Sequence, residues 1–177
     1  MCIRDSISAA QRGTLVHMCM QRLQIQEKYD MDKIQEMIYD MVKNQIISEK
    51  EAENIPICPV LEFTKSEIWE EMKQAQIVER EKPFYLQIAA NEVLKKKSEV
   101  TILVQGIIDL YYITKDNQLV LVDYKTDYVS KGKENSLIEK YKEQLEIYQK
   151  ALEESLKRKV DKIYLYSTSL NKSIKVR

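Results

Sequence analysis

The sequence predicts a three-layer α/β domain, with a mixed, mostly antiparallel central sheet between helices and a helical N-terminal half. Three observations carry this. The first 75 residues place apolar side chains at helical spacing. Near residue 76 the pattern switches to runs rich in Ile, Val and Tyr. A long amphipathic segment and one further strand-like run then close the chain.

Residues 1–6, MCIRDS, fit no pattern, and 1–10 are left unassigned. From Gly13, the residues Val16, Met20 and Leu23 recur at helical spacing with Cys19 on the same face. Residues 32–43 read as a second helix striped by Ile34, Met37, Ile38 and Met41. Ser48 followed by Glu51 is a capping box opening a short helix. Pro56 and Pro59 are expected to break the chain, and Ser66 to begin a polar helix carrying Ile68, Trp69 and Met72. IVEREKPFYLQIA has strand character on both sides of Pro83, and KKKSE at 95–99 reads as a charged loop.

Residues 100–113 and 118–124 are nearly continuous apolar runs, joined by the turn-forming Lys115-Asp116-Asn117-Gln118. They predict a β-hairpin in a sheet covered on both faces. KGKEN at 131–135 is a polar loop. Residues 136–157 form a long helix with Leu137, Tyr141, Leu145, Tyr148 and Leu152 as its stripe, and 160–168 a last strand. The expected organisation is one domain over 11–177, with a helical part at about 11–75 and an α/β core at about 76–170.

Composition excludes several classes. The chain has 177 residues, 44% apolar and 32% charged, enough to build a core without staples. Its 28 basic and 28 acidic residues cancel, which excludes a simple basic nucleic-acid coat but not a local basic groove. Three glycines, none in a phosphate-cradling motif, exclude a local P-loop or dinucleotide fold. Cys2, Cys19 and Cys58 are widely spaced and read as reduced intracellular thiols. His17 is the only histidine, so a multi-histidine zinc site is excluded. No run is long and apolar enough for a membrane helix.

Two carboxylates interrupt the apolar hairpin: Asp109 in GIIDLYY and Asp123 in VLVDYK. A buried carboxylate needs a cation or strong donors. Strand alternation puts Asp123 and Lys125 on one face and Tyr124 on the other, and the hairpin can bring Asp109 beside Asp123. Two adjacent carboxylates repel unless a hard divalent ion lies between them, and Mg²⁺ suits such a site. Lys125 could then reach a metal-bound water or an attacked phosphate. The structural alternative is a buried Asp109–Lys125 ion pair with Asp123 capping a turn. On the long helix, Gln144 and Tyr148 share a face, and a semi-buried amide needs partners. Together they can hydrogen-bond a phosphate or base beside a metal. His17 sits at the edge of the first helix's buried stripe.

GTLVH, EREKPF, QGIIDL, VLVDYKTD and QLEIY, in that order, resemble the nuclease domain of the RecB family, which has the PD-(D/E)XK restriction-endonuclease-like fold. The resemblance spans about residues 11–170 and is to its AddA-type branch, the C-terminal nuclease domain of a bacterial ATP-dependent helicase–nuclease. It implies a Mg²⁺-dependent DNA exonuclease, with Mn²⁺ able to substitute, leaving 5′-phosphate and 3′-hydroxyl ends during double-strand break processing for homologous recombination. It also implies that the chain is a piece of a larger cytoplasmic bacterial protein, with ATP used only in a helicase portion. The implied partners are that helicase portion, single-stranded DNA delivered from duplex ends, and a second, AddB-like protein.

By the same resemblance, His17, Asp109, Asp123 and the Tyr124 backbone carbonyl are metal ligands, Lys125 is the catalytic lysine, and Gln144 and Tyr148 lie near the DNA. Glu81 is a weaker accessory candidate, and Asp127 matches the DYKTD string without an evident chemical need. No cysteine follows Cys58, where iron–sulfur relatives place three, so no such cluster is expected. The alternative function is a nuclease-like module that has lost activity and only binds DNA or a partner.

Overall fold

The computed structural model describes residues 7–89 and 100–177. The readings made for 1–6 and for the loop at 95–99 lie outside them. Five helices come first: α1 (Ala9–Arg22), α2 (Met31–Lys43), α3 (Glu49–Ala52), α4 (Ile57–Phe63) and α5 (Glu67–Lys73). Strands β1 (Ile77–Ala89), β2 (Thr101–Ile113) and β3 (Leu119–Lys125) follow, then helix α6 (Glu134–Leu156) and strands β4 (Lys162–Ser167) and β5 (Lys172–Lys175). The strands form one sheet in the order β1-β2-β3-β4-β5. Only β3 and β4 run parallel, joined through α6; the other pairs are antiparallel. This is the mixed α/β architecture expected.

Local chemistry explains most boundaries. Ser8 and Gln11 close a capping box on α1, and Ser48 and Glu51 close another on α3. Ser66 accepts from the Trp69 N–H and starts α5. The 115–118 turn is set by Asn117 in the left-handed region, at φ 60°, with Asn117 N–H donating to Thr114 O.

Three details differ from the sequence reading. Pro59 does not break the chain: it lies in the first turn of α4, where its missing N–H has no helical acceptor anyway. The segment 131–135 is not wholly loop, because α6 already begins at Glu134. A short edge strand, β5, lies beyond the run expected to close the chain.

The two cores lie on opposite faces of the sheet. One holds the stripes of α1, α2 and α5 against Leu110, Tyr112, Val120, Val122, Tyr124 and Tyr166. The other holds Leu137, Leu145 and Leu152 of α6 against Tyr111, Ile113, Leu119, Leu121, Ile163 and Leu165. β3 and β4 alternate cleanly between these faces. In β1 and β2 the alternation reverses midway. Ile108 packs on the α6 side although Leu110, two residues on, packs on the other. Val78 and Phe84 show the same reversal across β1.

The reversal falls at one place. Arg80 pairs with Leu110 and Lys82 with Ile108, but the Glu81–Asp109 pair between them is missing from the ladder. Glu81 has φ 49°, a left-handed conformation that re-aims the strand. Within β2, cover on both faces is thus limited to the later half, whereas β3 is buried on both; Leu103 and Ile107 are exposed.

Candidate metal and phosphate site

The break in alternation carries the polar groups. Register places Asp109 of β2 across from Glu81 of β1, and continuing the β2–β3 register one step places it across from Asp123. Three carboxylates therefore lie in a row over three neighbouring strands. α1 adds His17 from the helical side, its Nδ1 3.4 Å from Asp109 Oδ1. One ligand atom each from His17, Glu81 and Asp109 lie within 4.8 Å of one another.

Gly13 permits this approach of α1. A methyl group there would lie 2.8 Å from Thr126 Oγ1, just beyond the end of β3. Arg80 fixes the other end, donating from Nη1 to the carbonyls of Gln21 (2.9 Å) and Leu23 where α1 stops. Its guanidinium also lies over the Trp69 ring, 5.9 Å from the centroid. The residue immediately before Glu81 thus holds the helix that bears His17.

Asp109 is buried, and its Oδ2 accepts from the Tyr124 N–H at 2.8 Å. Asp123 is more deeply buried, at 1% side-chain exposure, and pairs with Lys125 Nζ at 2.7 Å. That same Oδ2 makes no hydrogen bond of good geometry among the described residues. Burial, then the charge of Asp109, push the Asp123 carboxyl up from its ordinary range. Glu81 is pushed up by the same two causes. For His17, burial pulls the pKa down, but the hydrogen bond and charge of Asp109 outweigh it and the net shift is upward. Crowded carboxylates that resist ionisation, with a histidine among them, are an oxygen-and-nitrogen donor set suited to a hard divalent cation.

On the other side of Asp123, a chain of hydrogen bonds runs onto α6. Lys125 Nζ donates to Gln144 Oε1 at 2.9 Å, and Gln144 Nε2 donates to the Tyr148 hydroxyl oxygen at 2.7 Å. The semi-buried amide thereby has its partners. Burial pushes the Tyr148 phenol up to about 12, so it keeps its proton near neutrality and can donate it outward. Phe84 of β1 meets the Tyr148 ring edge-on at 5.5 Å.

The structure thus gathers all the residues singled out, in two adjoining groups. His17, Glu81 and Asp109 form one; Asp123, Lys125, Gln144 and Tyr148 form the other. Glu81 is closer to the centre than its context suggested, and Asp123 faces Lys125. The Asp109–Lys125 ion pair considered as a structural alternative is not the arrangement found. Tyr124 contributes its N–H to Asp109, while its ring packs in the helical core against His17 and Phe63.

Two contributors were not assigned roles from sequence. Asp127 accepts from Lys140 and from the Tyr141 hydroxyl, and the Tyr141 ring lies under Lys125 Nζ. The signal for Tyr141 was present: it is one turn before Gln144 on the same helical face.

No helix among the described residues is long and apolar enough to cross a membrane. Comparison with known proteins gives one consistent result. An ATP-dependent helicase/nuclease subunit of Thermoanaerobacter sp. (strain X514) is 38% identical over 167 residues, covering 92% of this chain and 14% of that protein. The proteins of the same name from Alkaliphilus oremlandii and Clostridium perfringens (strain SM101) are each 35% identical, covering 98% of this chain and 15% and 14% of their own lengths. The chain therefore spans about one seventh of these relatives. The family model described as the PD-(D/E)XK nuclease superfamily matches residues 3–175, nearly the whole chain, and the chain belongs to that superfamily.

Proposed function

We propose that this chain is the Mg²⁺-dependent DNA exonuclease domain of an AddA-like helicase–nuclease, hydrolysing phosphodiester bonds during end processing for homologous recombination. The observation that carries the reading is the convergence of His17, Glu81 and Asp109 within 4.8 Å, beside the Asp123–Lys125 pair. The domain in this reading is 11–177, its helical part at about 11–75 serving chiefly to deliver His17 to a core at about 76–170.

His17, Asp109 and Asp123 would hold the cation, with the Tyr124 carbonyl as a backbone ligand and Glu81 as an accessory carboxylate. The cation would supply charge stabilisation at the scissile phosphate and a water of lowered pKa. Mn²⁺, with similar oxygen preference, is expected to substitute. Lys125 is mostly buried, and its ammonium is aimed by Asp123 and Gln144. From there it orients the attacking water and offsets negative charge growing on the phosphate. Gln144 holds Lys125 and Tyr148 in line, and the Tyr148 O–H donates to a phosphate oxygen or base edge. The products are a 5′-phosphate and a 3′-hydroxyl.

The named relatives belong to helicase/nucleases, and this supports the assignment of partners. Single-stranded DNA would reach the site from a helicase portion of the same polypeptide, beside an AddB-like partner protein, inside a bacterial cell. ATP would be used only in that helicase portion.

The test is cleavage of end-labelled single-stranded DNA in Mg²⁺ by the parent chain and by Lys125→Ala, with circular dichroism to confirm folding. Loss of cleavage in a folded variant is expected. Cleavage at the parental rate by Lys125→Ala would overturn the assignment.

A further inference from the structure

Lys125 is gripped on three sides. Asp123 lies at 2.7 Å and Gln144 Oε1 at 2.9 Å. The third side is an aromatic face: Nζ lies 4.1 Å from the centroid of the Tyr141 ring. That ring is itself tied down, because its hydroxyl donates to Asp127 Oδ2 at 2.7 Å. Asp127 is further held by Lys140 from the preceding position of α6. The chain thus runs two residues past Lys125, the last residue of β3, to fix the side chain that Lys125 rests on. We propose that Tyr141, anchored by Asp127, is a positioning residue that confines the Lys125 ammonium to the line between Asp123 and Gln144.

The physical reason is conformational. A lysine has a flexible four-carbon stem and loses much rotamer freedom when its head is fixed. Two oxygen acceptors leave the ammonium free to swing about the line joining them. A ring face closes that freedom by attraction to the ring's negative quadrupole, without taking the charge away. Asp127 needs no contact with substrate for this role. Its place in the DYKTD string puts it two residues beyond the end of β3, where it meets Lys140 and Tyr141 of α6.

The inference rests on Lys125 being the lysine of the proposed reaction, but its first test does not need turnover. In protein labelled with carbon-13 at lysine, the Lys125 CεH₂ signal is identified by its loss in Lys125→Met. Ring current should place it upfield of the other lysines. Tyr141→Leu should return it to the ordinary lysine position. Tyr141→Phe and Asp127→Ala, which keep the ring but cut its tether, should move it part of the way. A signal unmoved in Tyr141→Leu would overturn the proposal, and one unmoved in Asp127→Ala would overturn the part given to Asp127.

The second test is kinetic. Tyr141→Leu should lower kcat about five- to thirty-fold with KM for single-stranded DNA little changed, the size of a partly desolvated cation–π contact, and Tyr141→Phe, which keeps the ring, should lower it less. An unchanged kcat with a raised KM would overturn a positioning role and make Tyr141 a DNA contact. A parent chain that cuts no DNA, yet shows the expected NMR shifts, would count against the nuclease reading and leave the placement of Lys125 standing.

Discussion

Replacing Arg80 tests how the site is assembled. Its Nη1 serves the carbonyls of Gln21 and Leu23, with Met20 O at a longer 3.5 Å, and the guanidinium lies over Trp69. Those carbonyls belong to the end of α1, where no further turn supplies donors. A hydrogen bond from a charged donor contributes roughly 1.5–3 kcal/mol, and the helix-terminus and cation–π contributions each about 0.5–1 kcal/mol. Water partly replaces the donor because Arg80 is only half-buried, so we expect Arg80→Ala to cost about 3 kcal/mol rather than the full sum. For a chain of this size that is a fall in Tm of about 6–12 °C. Arg80→Met keeps most of the stem packing and should recover a minor part. Urea unfolding followed by circular dichroism gives the free energy directly. A loss below about 0.5 kcal/mol, the scatter of ordinary surface changes, would refute the claim that Arg80 anchors α1 to β1.

Other expectations follow from the same geometry. Folded Glu81 and Asp123 hold protons more tightly than free carboxylates, so stability without metal should fall as pH rises from the ordinary carboxylate range near 4. His17, also shifted upward, adds a fall of the same sign nearer neutrality. Metal binding needs all three deprotonated, so the rise in Tm on adding Mg²⁺ should be larger at pH 8 than at pH 6; equal shifts in a differential scan would argue that these groups are not the ligands. Gly106→Ala would place a methyl group 2.8 Å from Phe84 Cε1, and should cost about 1–3 kcal/mol in urea unfolding through overpacking. Tyr166→Phe removes a buried hydroxyl that has no partner among the described residues; its stability should be unchanged or higher by up to about 1 kcal/mol, and a large loss would reveal a bond to that oxygen.

Much of this was legible because the relevant physics is local. The Lys115–Gln118 turn, the Ser48–Glu51 box and the stripe of α6 each depend on residues within a few positions of one another. Asp109, Asp123 and Lys125 stood out because charge is costly inside apolar strands. What escaped depends on conformation or distance. Glu81 takes a positive φ with no glycine to flag it, so nothing in EREKPF announces the reversal of faces. Pro59 is a breaker in a helix interior and harmless in a first turn, and the sequence does not say which turn it occupies. The four residues of β5 are too few for a periodic signal. Arg80 reaches carbonyls 57 to 60 residues away, a contact only the folded chain creates.

The reversal at Glu81 and Asp109 has a mechanical consequence. Each side of the sheet carries its own apolar core, and α1 and α6 belong to different ones. The polar groups lie along the seam where both cores end, with His17 supplied from one and Gln144 and Tyr148 from the other. A bound ligand gripping that seam acts as a rivet between two slabs. Slow amide exchange in α1 and in α6, free to differ in the empty protein, should then converge on a common rate, as the two layers come to open together or not at all.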